Sequence, residues 1–199
     1  MRRLLPIVEG HGEDRAVPLL IRRILEAQGI YDVELISAQR KGEYPSVARN
    51  FDNIFQAATL VKAPILWVMD FDSKDYDCPI KEAQKLLARA DALRPGWPIK
   101  IAFLVKEYET LFLIDEAATR KVFPDISPKT PFPLEPEKIR GAKEWLSKAR
   151  PAAGNAYKPM VDQAKITAHL DLSLLRTRSA DFAHLERAVI ELANSTCPS

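Results

Sequence analysis

The chain has 199 residues, is 47% hydrophobic, and carries 29 Lys+Arg against 27 Asp+Glu for a formal charge of +2. That length buries one sizeable core and favours a single globular unit, while the near-neutral balance excludes a global basic field and leaves only local basic faces for nucleic acid. No apolar run approaches the roughly 20 residues of a membrane span, and Cys78 and Cys197 have neither metal-ligand spacing nor a signal segment ahead of them, so a reduced, cytoplasmic protein off the membrane is expected.

In chain order, "RRLLPIV" (residues 2–8) reads as a buried strand that stops at Glu9-Gly10, and "EDRAVPLLIRRILEAQG" (13–29) as a helix with apolar residues at helical spacing. "DVELISA" (32–38) alternates like a strand, "SVARNFDNIFQAATLV" (46–61) reads as a helix entered at Ser46, and "PILWVM" (64–69) as a second buried strand. After an acidic loop come an amphipathic helix, "PIKEAQKLLARADAL" (79–93), with Pro79 suited to its first turn, and a further strand, "PIKIAFLV" (98–105). Alternation of this kind predicts an α/β fold with a mostly parallel sheet flanked by helices.

The texture changes near residue 118, where "KVFPDISPKTPFPLEPEK" (121–138) packs in five prolines and can be neither central strand nor helix. The expected organisation is an α/β catalytic core over 1–118, a proline-rich linker or surface loop over 119–136, and a C-terminal helical extension over 137–199 packed on the core. Helices are expected there at 137–149, 159–170 and 180–193, the last capped by Ser179.

Ligands in open parallel sheets sit beyond the carboxyl ends of the strands. Glu9, Asp70 and Glu107 each fall at such an end. In "WVMDFDSKDYDCP" four aspartates, Asp70, Asp72, Asp75 and Asp77, crowd into eight residues. Like charges this close raise one another's pKa unless a cation joins them. Mg²⁺ or Mn²⁺, which take oxygen ligands and leave positions open for water and substrate, answer that need. Gly10 and Gly12 let the backbone turn closely after Glu9, and Glu13 opens the helix where its charge also suits the macrodipole. Asp75 and Asp77 read as solvated loop or capping residues. Of Glu107 and Glu109 at most one should point at the site, and Glu107 is nearer the strand end; Tyr108, Leu111 and Phe112 should pack in the core.

A hydrophobic strand, Glu-Gly, a helix, and later a strand followed by Asp-x-Asp resembles the Toprim domain of topoisomerases, primases and OLD family nucleases. More narrowly, "IVEGHGEDRAVPLLIRRIL", "WVMDFDSKDYDCP", "KEYETLFLID" and "YKPMVDQAKITAHLDLSLLRTRSADFAHL" together resemble a small Toprim-like family, domain of unknown function 4276. The resemblance implies a Toprim-like, Rossmann-like sheet, Glu9 as metal ligand or acid/base, Asp70 and Asp72 as paired ligands, and Glu13 and Glu107 as further acidic positions. It also implies a lysine after the acidic motifs, here Lys158 of "NAYKPMVDQ" in preference to Lys165 or Lys106. The activity implied is metal-dependent phosphodiester hydrolysis, with a nucleic acid partner, DNA ahead of RNA. As the chain has no GxxxxGK[ST] motif, a separate ATPase partner is implied too, in a phage-defence setting, with a homodimer as a further expectation. Two other functions fit these residues: a non-catalytic Toprim-like subunit that binds nucleic acid or regulates an ATPase, and a metal-dependent binder of a small phosphorylated ligand.

Overall fold

The computed structural model describes residues 2–72, 78–150 and 156–198. Five strands form one sheet: β1 (Arg2–Val8), β2 (Val33–Leu35), β3 (Gln39–Arg40), β4 (Ile65–Phe71) and β5 (Ile99–Val105). The order is β2-β1-β4-β5, β3 pairs with β1 beyond β2, and every pairing is parallel. Between the strands run α1 (Glu13–Ala27), α2 (Tyr44–Thr59) and α3 (Pro79–Leu93), followed by α4 (Thr110–Ile114) and α5 (Glu116–Val122). Past a 3₁₀ turn at Pro136–Lys138 come α6 (Ala142–Ala149), a π turn at Pro159–Gln163, α7 (Ala164–Thr167), α8 (Leu172–Arg178) and α9 (Ala180–Ala193).

Strand alternation sorts the core into two layers, because successive side chains point to opposite faces. Leu4, Val8, Leu66, Val68, Ala102 and Leu104 pack on α1 and α9, whereas Leu5, Ile7, Ile65, Trp67, Met69, Ile101 and Phe103 pack on α2 and α3. A sheet covered on both faces explains why its strands read as continuous apolar runs. Fully burying each of these side chains contributes roughly 1.5–3 kcal/mol. On the second face Phe51 of α2 stacks on Trp67 with ring centroids 4.9 Å apart.

The expected α/β architecture is the one observed, and Tyr108, Leu111 and Phe112 are buried as expected. Several boundaries differ for local reasons. The 32–38 segment yields only β2, with β3 just beyond it, and the two pair with β1 in separate stretches. Helix α2 begins at Tyr44 rather than Ser46, since Pro45 fits the first turn and Glu43 takes the extended cap conformation. The helix expected from 137 starts at Ala142, because Gly141 in front of it is left-handed (φ 78°). In place of one helix over 159–170 there is the π turn and α7, and α8 follows with Asp171 capping it through Ser173 and Leu174. Ser179 caps α9 by accepting from the Phe182 amide, as anticipated. Cys78 and Cys197 are both free, and among the described residues no helix is long and apolar enough to cross a membrane.

Candidate active site

Where β1, β4 and β5 end, a pocket of about 240 Å³ opens, lined by Glu9, Asp70, Asp72, Lys106, Glu107 and Lys143 with Glu43, Tyr44 and Pro45. A larger groove of about 540 Å³ runs along α2 and α3, but Arg94 is the one charged group in its lining. The chemistry therefore concentrates at the strand ends.

The strand order sets the polarity of this pocket. On the β1 side stand Glu9 and, across a short loop, Glu43. That loop is pinned to the strand end by the Lys41 amide donating to the Val8 carbonyl (3.0 Å) and the Gly42 amide to the Glu9 carbonyl (3.2 Å). Asp70 and Asp72 stand in the middle, at the end of β4. On the β5 side stand Lys106, Glu107 and Lys143. Acid thus gives way to base along the sheet edge.

Glu13, the first residue of α1, is buried, and its Oε2 accepts the amides of Glu9 (3.1 Å) and Gly10 (2.7 Å). It braces the turn that carries Glu9. Burial, with the charges of Glu13 and Glu43, raises the Glu9 carboxyl to about 7, Lys143 and the Asp70 amide partly opposing. Asp70 Oδ1 accepts the Tyr108 amide (2.8 Å) and Oδ2 lies 3.4 Å from the Lys143 ammonium. Burial and the neighbouring Glu13 push its carboxyl well above the usual range.

Lys143 is held from three sides. Its amide donates to Glu107 Oε2 (3.0 Å), which serves as a cap for α6, and its ammonium lies 3.4 Å from Asp70 and 3.6 Å from Glu109. Burial alone would lower the lysine's pKa; Glu109, Asp70 and Glu107 outweigh it and hold the group charged. Glu109 is 0% exposed and accepts the Tyr157 hydroxyl (2.7 Å) and the Gln163 amide (3.2 Å). Burial raises its carboxyl to about 7, with Lys143 as the main opposing influence.

Gly12 closes this network from the other end. A Cβ at Gly12 would stand 2.2 Å from the Gln163 side-chain oxygen and 3.0 Å from the Pro159 carbonyl carbon. Its φ of −76° is ordinary, so space and not conformation demands glycine here. Gly12→Ala should destabilise the fold by about 1–3 kcal/mol through overpacking, measurable as a lower denaturation midpoint with an unchanged slope.

Of the residues expected from sequence, Glu9, Asp70, Asp72 and Glu107 line one pocket, while Glu13 lies behind its wall. Lys158 is exposed and outside that lining; its amide donates to Asp162 (2.9 Å). The lysines that reach the pocket are Lys143 and Lys106. Asp75 and Asp77 fall outside the described residues. Sequence reasoning missed Lys143, Glu43, Arg140 and the support from Glu109, Tyr157 and Gln163. The available signals were slight: the left-handed glycine opening "GAKEW", and two acids straddling a core tyrosine in "KEYE".

Among the described residues, no three His, Cys, Asp or Glu side chains gather as a preformed metal cluster. The donor chemistry nonetheless suits Mg²⁺ or Mn²⁺. Glu9 and Asp70 offer hard oxygens from adjacent strands, and both carboxyls are held towards protonation, a penalty that a divalent cation relieves.

No curated protein matches the chain. Among solved structures it is similar to the C-terminal region of the Burkholderia pseudomallei OLD protein, at 17% identity over 96% of this chain and 97% of that chain, with a TM-score of 0.44. Residues 8–190 match the family described as "Domain of unknown function (DUF4276)", and the chain belongs to that family.

Proposed function

We propose that this protein is a divalent-metal-dependent nuclease of Toprim type that hydrolyses phosphodiesters. The observation that carries the reading is the convergence of Glu9 and Asp70, both with raised proton affinity, on a pocket that also receives the Lys143 ammonium. The motif order along the chain, Glu9-Gly10 after one strand and Asp70-x-Asp72 after another, supports it as well.

Mg²⁺ or Mn²⁺ held by Glu9, Asp70 and Asp72 would supply Lewis acidity towards a phosphate oxygen and a more acidic water. The rest is done by the chain's own groups. Where Asp70 and Asp72 hold the cation, Glu9 would accept a proton as water attacks phosphorus and return one as the bond to the leaving oxygen breaks. Lys143, kept charged by Glu109 and Asp70, offsets the charge that builds on the non-bridging oxygens. Glu107 fixes the backbone of Lys143 and so the height of its ammonium over the pocket. In this reading the protein is cytoplasmic, acts on DNA ahead of RNA, and works with a separate ATPase partner in defence against phage, as a monomer or a homodimer.

The test is cleavage of DNA and RNA by purified protein with Mn²⁺, alone and with the ATPase partner; cutting is expected, and Asp70→Asn should weaken Mn²⁺ binding in calorimetry at least about tenfold. Unchanged affinity in that variant would move the metal elsewhere. One observation favours a second reading, a subunit that binds nucleic acid without cutting it: Asp72 is already neutralised by Arg140 (2.8 Å) and Lys106 (3.7 Å). Failure to cut across metals, substrates and partners would select it.

A further inference from the structure

The ion pairs of Asp72 lie at the partly open rim of the site. Side-chain exposures are 32% for Asp72, 28% for Lys106 and 47% for Arg140. Arg140 Nε donates to Asp72 Oδ1 at 2.9 Å, and its guanidinium also reaches the Asp72 carbonyl at 3.4 Å. Lys106 has φ +73°, a left-handed conformation that residues with a Cβ rarely keep. Its amide donates to the Phe71 carbonyl (3.1 Å), which extends the β4–β5 ladder by one rung and keeps Lys106 beside Asp72. Strain retained at the rim of a pocket points to a use for the side chain it aims.

An ion pair of this exposure holds weakly, with a net worth of about 0–1 kcal/mol. The same carboxylate is one of the three that would hold a divalent cation. Both basic side chains meet Oδ1, so a cation on Oδ2 would compete with them for the charge of the one carboxylate. We infer that Asp72 is an exchange point: a divalent cation draws it away from Arg140 and Lys106, and the two cations so released bind a phosphate of the nucleic acid next to the one being cut. The inference rests on the metal-dependent reading above and adds to it a coupling between metal and substrate. Its ligand class is a polynucleotide with at least two neighbouring phosphates, since Lys143 already serves the first. The placement agrees with the polarity of the sheet edge, where the base-bearing β5 side receives the backbone and the acid-bearing β1 side holds Glu9.

The coupling gives effects of opposite sign that depend on metal and on the partner residue, whereas charge removal alone gives the same signs without that dependence. In metal-free buffer, fluorescence anisotropy with a labelled oligonucleotide should show Asp72→Asn binding about three- to tenfold tighter than wild type and Arg140→Gln and Lys106→Gly changing little, whereas with Mn²⁺ added the two basic-residue variants should bind about threefold weaker than wild type or more, each with the salt slope reduced by about 1. Without oligonucleotide, calorimetry should show Arg140→Gln and Lys106→Gly taking up Mn²⁺ about threefold tighter, because Asp72 is no longer shared. Lys106→Gly also relieves the left-handed backbone, so a folding defect is not expected to mask the result. The gain from Asp72→Asn should shrink in the Arg140→Gln background. Persistence of the full gain there would mean plain charge removal and would overturn the exchange, as would unchanged or weaker Mn²⁺ binding by both basic-residue variants, or no oligonucleotide binding by any variant. A wild-type protein that takes up no Mn²⁺ would overturn the exchange and the metal-dependent reading together, whereas metal uptake without the opposite signs would overturn the exchange alone.

Discussion

Glu9→Gln should lose cleavage by a factor on the order of 100 or more while folding as well as wild type or better. The loss follows from its place: the amide neither accepts a proton nor binds a metal tightly, and proton transfer by a positioned side chain contributes about that much. The gain follows from its pKa. Raised to about 7 in the folded protein against 4.5 ordinarily, the carboxyl binds protons more tightly folded than unfolded. Ionising it therefore costs stability that is fully present below the unfolded value and lost as pH rises through about 7. The shift alone corresponds to about 3 kcal/mol, and partial solvent access brings this to about 1–2 kcal/mol. In metal-free buffer the variant should thus match wild type near pH 4.5 and exceed it above pH 7, with added Mn²⁺ narrowing the gap by stabilising wild type. A Glu9→Gln enzyme that cuts would remove Glu9 from the chemistry. An unfolded one would remove the electrostatic account of the turn.

Lys143→Met should be the more damaging change, because it removes at once the charge that the proposed function sets against phosphate and the cation between two buried carboxylates. Loss of one positioned electrostatic group at a reaction centre costs about 10²- to 10³-fold in rate. Leaving Glu109 and Asp70 without their ammonium costs about 3–5 kcal/mol when both are ionised. That penalty depends on pH. Glu109 titrates near 7 even with Lys143 present, so without the lysine it stays protonated to higher pH, and the variant should approach wild-type stability near pH 5 and fall behind as pH rises past 7. Denaturation curves at both ends of that range check the sign; a pH-independent loss would mean that the lysine's methylene packing, and not its charge, is what the fold needs.

How much of this was legible in the sequence differs between the sheet and the site. The strands at β1, β4 and β5 announced themselves because burial on both faces writes continuous apolar runs, and an acid directly after such a run can only stand at the sheet edge. Glu9, Asp70, Asp72 and Glu107 were found in this way. Lys143 was not, since nothing local marks it: it reaches the pocket from a helix 73 residues beyond Asp70, carried there by tertiary packing and by the Glu107 carboxylate on its amide. Lys158, adjacent to the buried Tyr157, illustrates the same limit. One residue's difference in position separates a phenol beneath the site from an exposed ammonium outside it. The C-terminal boundaries were blurred for another reason: the π turn keeps the apolar spacing of a helix near enough that periodicity reads Pro159 to Leu170 as one element.

The notch at Gly12 bears on how this family changes over time. Gln163 fills the space that a side chain at position 12 would occupy, and its amide also holds Glu109. Substitutions at these two positions are consequently not independent. Shortening residue 163 would relieve the closer of the two clashes at position 12, the Pro159 backbone remaining, and would give up a hydrogen bond to the acid beneath the lysine. Changes at positions 12 and 163 should therefore be non-additive, with the state of Glu109 carrying the coupling between them.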